Sequence, residues 1–448
     1  MMKSPRLKSP LLTALPAALA LLATPACAME AEGISAEALR ADISEWRDWL
    51  FATHPDPGFS MDVEAVEAGF DRIATSLDGN YSRREAWLEL AVLNPHFADG
   101  HIAIRLPGAD YEAYLENGGS AFPLPLGIEN GRLIIDEAFA SASPFSRGDE
   151  ILSINGSAAS DLVEAALARA HGDSEELRTY LVEERFSRYL WALTGGSQSW
   201  TVDVRKSDGA VETHIVDPER DLAQEDTDLW TLDFAGDAAV LTLNTFRPDY
   251  EAEFAAFIEP AFAEIAAEGS EVLVIDISAN GGGAHQLSDR LFAYLTDTRY
   301  TPLSAVTARI VPENQALIPG SQLGQVISTP FAQWVEPPQE LENRFDGRAA
   351  FLIGTGTYSQ AIVTATTAQD FDIAPVAGVA TAGRANSTGQ VQIEALDQSG
   401  LEVAAPIYVF TRASGDSSSD PVMPDLPLSG SRQEQIEALI DYLRTEAG

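Results

Sequence analysis

Two apolar runs, Glu271 to Ile277 (EVLVIDI) and Ala349 to Ile353 (AAFLI), constrain the fold of this chain more than any other feature. Each has the length of a strand and the composition of a buried one, and each leads through a glycine-bearing loop into a helical pattern. A strand that is apolar on both faces needs cover on both, which is the situation in a parallel sheet flanked by helices. The alternation extends to a strand at Ala239 to Leu243, a helix at Tyr250 to Glu268, a helix at Gln286 to Thr296 and a strand at Ile373 to Val379. Residues 229–448 are therefore expected to form an α/β core of βαβ crossovers. Leu401 to Thr411 (LEVAAPIYVFT) is read as the strand that closes the sheet, and Glu434 to Arg444 as a terminal helix.

At 448 residues the chain exceeds one ordinary hydrophobic core and suggests two to four compact units. Residues 1–28 read as a secretory signal peptide. Lys3, Arg6 and Lys8 precede an apolar run, Leu11 to Ala23, that is too short to span a bilayer, and Ala26-Cys27-Ala28 supplies a small-residue cleavage site. Export to a periplasmic or extracellular space is expected. Lipid anchoring through Cys27 is the less favoured alternative, because no aliphatic residue stands three places upstream. No later stretch is long and apolar enough for a transmembrane helix.

Cys27 is the only cysteine, so cleavage after Ala28 leaves no disulfide, catalytic thiolate or cysteine-held metal. The formal net charge of −40 becomes three units more negative once the basic leader is removed. Such a surface disfavours nucleic acid and anionic lipid as partners.

Residues 29–118 read as a helical N-terminal region, with Leu39, Ile43, Trp46 and Leu50 at helical spacing and further helices at Val63 to Leu77 and Arg83 to Leu93. It ends in the turn Asp99-Gly100 and a short strand, HIAIRL, opened by His101. In residues 119–172, the hairpin signal Glu129-Asn130-Gly131 precedes SPFSRGDEILSING and a helix. That segment resembles a PDZ domain, a small β-rich module that takes up extended peptides at a sheet edge; a packing module that binds nothing is the less favoured alternative. Residues 173–228 read as a helix from Asp173 to Leu193, a hairpin around Ser207-Asp208-Gly209, and an acidic linker.

Ser359 is the candidate nucleophile. It follows the turn IGTGTY and stands at the start of a helix, where unpaired N–H groups and the helix dipole favour developing negative charge. Serine is also a common N-cap, and from this stretch alone that reading remains open. The loop Asn280-Gly281-Gly282-Gly283 could cradle an oxyanion, but it has neither the P-loop lysine nor dinucleotide spacing. No cofactor is implied. The histidine spacing makes no metal pattern beyond His96 and His101, which would need a third ligand. Beyond the leader, Lys206 is the only lysine, and it lies beside a hairpin turn. A serine–lysine dyad is thereby nearly excluded, so a serine hydrolase here needs a histidine base. His101 and, after the glycine loop, His285 are the candidates.

Several motifs in order carry a family resemblance. DISANGGGA (276–284) resembles the DLRxNxGG signature of the carboxyl-terminal-processing, or tail-specific, serine peptidases. IGTGTYSQA resembles their nucleophile segment, GVATAGRANSTGQ the segment after it, and DPVMPDLPL their terminal Pro-Asp pattern. Arg384 stands 25 positions after Ser359, where the tail-specific branch has its lysine, and arginine cannot serve as the base. The chain is closer to the tricorn-core-like branch, whose histidine comes from an Asp-Gly-His motif, here ADGHIAI. The resemblance implies a crotonase-like parallel-sheet core with a helical N-terminal region and a PDZ-like module. It implies peptide-bond hydrolysis with Ser359 as nucleophile, His101 as base, Gly282 and Gln360 as backbone donors of the oxyanion hole, and peptide or protein substrates. For the third catalytic group it points to an acid before the Pro-Asp pattern, and Asp420 is chosen over Asp416. The rival expectation is a degenerate relative that binds a peptide or apolar ligand without cutting it.

Overall fold

The apolar runs lie side by side in a six-stranded sheet. In the computed structural model, which describes residues 33–136, 143–217 and 228–445, its order is Trp230–Ala235, Ala238–Leu243, Val272–Asp276, Arg348–Ile353, Val376–Gly378 and Leu426–Pro427. The first pair is antiparallel and the others are parallel. Alternate residues enter two cores. Leu241, Leu273, Ile275, Phe351 and Ile353 pack on one face with Phe254, Ile258, Phe262 and Leu291 from the helices Glu251–Glu268 and His285–Ala293. Val240, Val272, Val274 and Leu352 face Ile436, Leu439, Ile440 and Leu443 of the terminal helix Arg432–Thr445. This two-sided burial is why the strands read as unbroken apolar runs. Val272–Asp276 and Arg348–Ile353 are adjacent and parallel, so the loops after them leave the same edge, the usual place for a site in such sheets.

Leu401–Thr411 does not close this sheet. The strand, Glu402–Arg412, lies in a second, antiparallel sheet between Leu303–Arg309 and Thr388–Ala395. A continuous apolar run reports burial and leaves the pairing partner open. The expected strand HIAIRL contracts to Ala103–Ile104, which adds to the same strand in the register Ala103↔Ala404 and Ile104↔Val403. The N-terminal region is thus stitched to the sheet carrying Thr388.

A third sheet has the order Leu126–Glu129, Arg132–Ile135, Glu150–Ile154, Trp200–Arg205 and Val211–Val216. Its first hairpin turns on Asn130 and Gly131, both at positive φ, as a two-residue type I′ turn requires. The hairpin around Ser207-Asp208-Gly209, assigned above to residues 173–228, completes this sheet, because Trp200–Arg205 pairs with Glu150–Ile154. The expected helix from Asp173 to Leu193 is two helices, Glu175–Glu184 and Phe186–Thr194. One core serves the third sheet and the N-terminal helices, with Trp46 packed edge-on against Phe70 and Phe97. The described residues from Ile34 onward form one compact unit. The expected signal peptide lies outside the described residues, and no described helix is long and apolar enough to cross a membrane.

Candidate active site

Ser359 begins the helix Gln360–Asp370 with φ 53° and ψ −121°, and its side chain makes no capping hydrogen bond. For a residue with a Cβ this backbone is strained, at a cost on the order of 1–3 kcal/mol, and surrounding structure must hold it. An ordinary N-cap has extended φ/ψ and an oxygen turned onto its own helix. Here the conformation lifts Oγ away from the helix, as at the sharp strand-to-helix turn of a nucleophile elbow. The preceding turn is fixed by Thr357, whose hydroxyl donates to the Ile277 carbonyl at 2.8 Å and accepts from the Gly354 N–H at 3.0 Å.

His101 meets Ser359 from the other end of the chain, with Nε2 3.1 Å from Oγ. Its other nitrogen, Nδ1, lies 2.9 Å from the Thr388 hydroxyl oxygen. That hydroxyl is 3.0 Å from both carboxylate oxygens of Asp99. Its single proton goes to Asp99, so its oxygen accepts Nδ1–H, and this network assigns the tautomer that leaves Nε2 free to take the serine proton. Asp99 also accepts from the His101 backbone N–H at 2.7 Å, which folds the turn carrying that ring. Gly100 completes the motif, because a Cβ there would lie 2.5 Å from the Tyr358 hydroxyl oxygen. The Tyr358 and His101 rings pack at 5.0 Å.

Asp420, expected to orient the histidine, is placed elsewhere. It is exposed, and its backbone carbonyl accepts from the Ala385 N–H at 2.8 Å. The acid beside the ring is Asp99, which is 2 % exposed and reaches His101 through Thr388. Its signal was present in the Asp-Gly-His motif itself, and Thr388 lies in the quoted segment after the nucleophile. His285 is largely exposed and bound to Asp289 at 2.9 Å, which occupies its Nδ1.

The two expected oxyanion donors also separate. Gln360 is the first residue of its helix, so its N–H has no acceptor within that helix. The Gly282 N–H instead donates to Asn280 Oδ1 at 2.8 Å, while the Asn280 Nδ2 donates to the Leu243 carbonyl at 2.8 Å. What Gly282 supplies is space. At φ +92° a Cβ there would lie 2.7 Å from the Gln360 nitrogen, the Ser359 Cβ and the Tyr358 carbonyl oxygen. Gly282→Ala is expected to push the nucleophile off position and slow fluorophosphonate labelling about 100-fold, with circular dichroism unchanged. Labelling at the wild-type rate would show that the loop does not set the serine.

Burial governs the charges. It pushes the His101 ring down to about 4, against the nearby charge of Asp173, so the imidazole is neutral at neutral pH and has a lone pair free to accept a proton. Burial raises the Asp99 carboxyl to about 7, and the charge of Asp173 adds to this. Hydrogen bonds from the His101 N–H and Thr388, with the positive charge of Arg384, act in the opposite sense. A neutral base beside a nucleophile, a buried acid behind it and a helix N-terminus ahead of it can carry out acyl transfer.

Residues 237–428 match peptidase family S41. No curated protein sequence gives a match. Among solved structures the chain is similar to mature CPAF complexed with lactacystin, at 16 % identity and TM-score 0.60 over 92 % of this chain and 97 % of that one. A mutant form of CPAF gives TM-score 0.62 at 15 % identity, over 91 % and 96 % of the two chains. The photosystem II D1 C-terminal processing protease aligns at TM-score 0.48 and 15 % identity, over 89 % and 96 %. The fold is that of the CPAF structures, and the family match supports a serine-type peptidase.

Proposed function

From a core segment that matches peptidase family S41, we propose that this chain is an exported serine endopeptidase or processing peptidase of the histidine-base type. It hydrolyses peptide bonds through an acyl-enzyme on Ser359. The observation that carries the reading is the unbroken chain Ser359 Oγ, His101 Nε2, His101 Nδ1, Thr388 Oγ and Asp99, with each link between side chains at 2.9–3.1 Å. As Oγ attacks the carbonyl, its proton passes to Nε2. The oxyanion forms against the helix N-terminus at Gln360, where one donor contributes on the order of 3 kcal/mol. The imidazolium then protonates the leaving amine, and a water molecule activated by the same ring releases the acyl group. One sample tests the reading. The exported protein should begin at Met29, and mass spectrometry should place a fluorophosphonate adduct on Ser359. Absence of an adduct, together with saturable peptide binding, would favour a non-cutting relative.

The role of Asp99 gives a pH prediction. Catalysis needs His101 neutral, which holds above about pH 4. It also needs Asp99 ionised to stabilise the imidazolium, and that develops as pH rises through about 7. The wild-type kcat/KM should therefore rise through neutrality. In Asp99→Asn that limb should vanish, leaving a flatter profile whose plateau is roughly 10² to 10⁴ lower. An unchanged acid limb in this variant would remove Asp99 from the mechanism.

A further inference from the structure

A second buried carboxylate stands beside the site, and the steps above do not use it. Asp173 precedes the helix Glu175–Glu184, and its side chain is 7 % exposed. Its Oδ1 accepts from the Gly100 N–H at 2.8 Å and from the Tyr358 hydroxyl at 2.8 Å. Its Oδ2 accepts from the Arg384 N–H at 3.0 Å, and the Arg384 guanidinium lies 3.4 Å away. Arg384 in turn donates to the Ala98 carbonyl at 2.7 Å. Next in sequence, the Ser174 hydroxyl donates to the Ala382 carbonyl at 2.8 Å. One carboxylate thus joins three separate pieces of the site: the turn that carries the base, the residue before the nucleophile, and the loop that leads to Thr388.

We propose that Asp173 is a positioning residue that sets His101 on Ser359 through Gly100 and Tyr358, making attachment of the helical segment Glu175–Thr194 a condition of catalysis. The inference rests on the peptidase reading above. Gly100 is bonded to both Asp173 and Tyr358 and immediately precedes the base. The Tyr358 hydroxyl is 3.4 Å from His101 Nδ1, and its ring packs against the imidazole. Loss of Asp173 removes one of the two acceptors of the Gly100 N–H and the carboxylate that fixes the Tyr358 hydroxyl beside the imidazole. A tie with only a structural task would be served by a neutral acceptor such as Asn. The charge does more, because it favours a proton on His101, the form the ring must take as the serine proton leaves. The same segment makes a second approach through Tyr180, whose ring atoms would lie 2.6 Å from a Cβ at Gly356.

The test compares Asp173→Ala, Asp173→Asn and Tyr358→Phe in the full chain. Turnover of an unfolded protein substrate and the titration of the His101 Cε1–H resonance are measured for each. The groups facing Asp173 and the imidazole are Asp99, Tyr358, Arg384 and His171, with Arg185 3.5 Å from the His171 ring. All of them remain in Asp173→Asn. Asp173→Ala is expected to lower kcat about 100-fold with KM within about threefold of wild type. Asp173→Asn keeps an acceptor for Gly100 and Tyr358, so it should lose less, while its His101 resonance titrates at lower pH than in wild type. Adding Tyr358→Phe to Asp173→Ala should cost little more, since both act through one ring.

Wild-type kcat in Asp173→Ala, or a His101 titration unmoved in Asp173→Asn, would overturn the proposal. Should Asp173→Ala fail to fold, the Asn variant decides by the same titration. Should the wild type cut nothing, the peptidase reading and the catalytic condition fall together, while the titration still decides whether Asp173 sets the state of His101.

Discussion

Ser359→Ala will abolish fluorophosphonate labelling and reduce turnover by on the order of 10⁴ to 10⁶, while the fold is retained. The size of the effect follows from what the hydroxyl does. Without Oγ no acyl-enzyme forms, and any residual rate must come from water attacking a carbonyl polarised by the helix N-terminus. Stability should change little or rise slightly. The change removes one oxygen from a half-exposed side chain, and alanine carries the same φ penalty at 53° that serine does. Labelling that persists in this variant would place the reactive group elsewhere, and His101 would then have no nucleophile to serve.

His101→Ala should be nearly as severe in kcat, and the double variant no worse than either single one. Nucleophile and base act as one unit, because neither can carry out the step alone. Lys206 cannot substitute, since it is bound to Asp149 and the Pro144 carbonyl in the third sheet. Nor can His285, whose Nδ1 is held by Asp289. Residual activity should climb with pH as hydroxide takes over the role of the base. Full turnover in His101→Ala, or multiplicative losses in the double variant, would separate the two residues.

What could be read in advance follows the range of the interactions involved. The strands of the parallel sheet were legible because burial on both faces leaves a local mark, an unbroken apolar run. Asn280 to Gly283 and the Asp-Gly-His turn were legible because tight backbone demands special residues at fixed spacing. Partnership was not legible. The run at 401–411 announced that it was buried and gave no sign that Leu303–Arg309 and Thr388–Ala395 would be its neighbours. Asp99 sits two residues from His101, but its link to the ring runs through Thr388, 289 positions away, so the local sequence does not mark it. Asp173 read as the start of a helix, and nothing local marks a carboxylate whose donors are at 100, 358 and 384. Gly282 is expected from sequence as an oxyanion donor, whereas its N–H goes to the side chain of Asn280, a partner the glycine spacing does not reveal.

The distances along the chain between the working groups have a consequence for the life of the molecule. The base is at 101, the nucleophile at 359 and the hydroxyl that orients the base at 388. A ribosome therefore delivers the proton acceptor early and the serine late, and most of the chain has emerged before the two can meet. Until residue 388 has emerged, the growing polypeptide carries the parts of the proposed site without their being assembled. On the peptidase reading, the order of translation alone keeps activity from arising before the last of these groups is made.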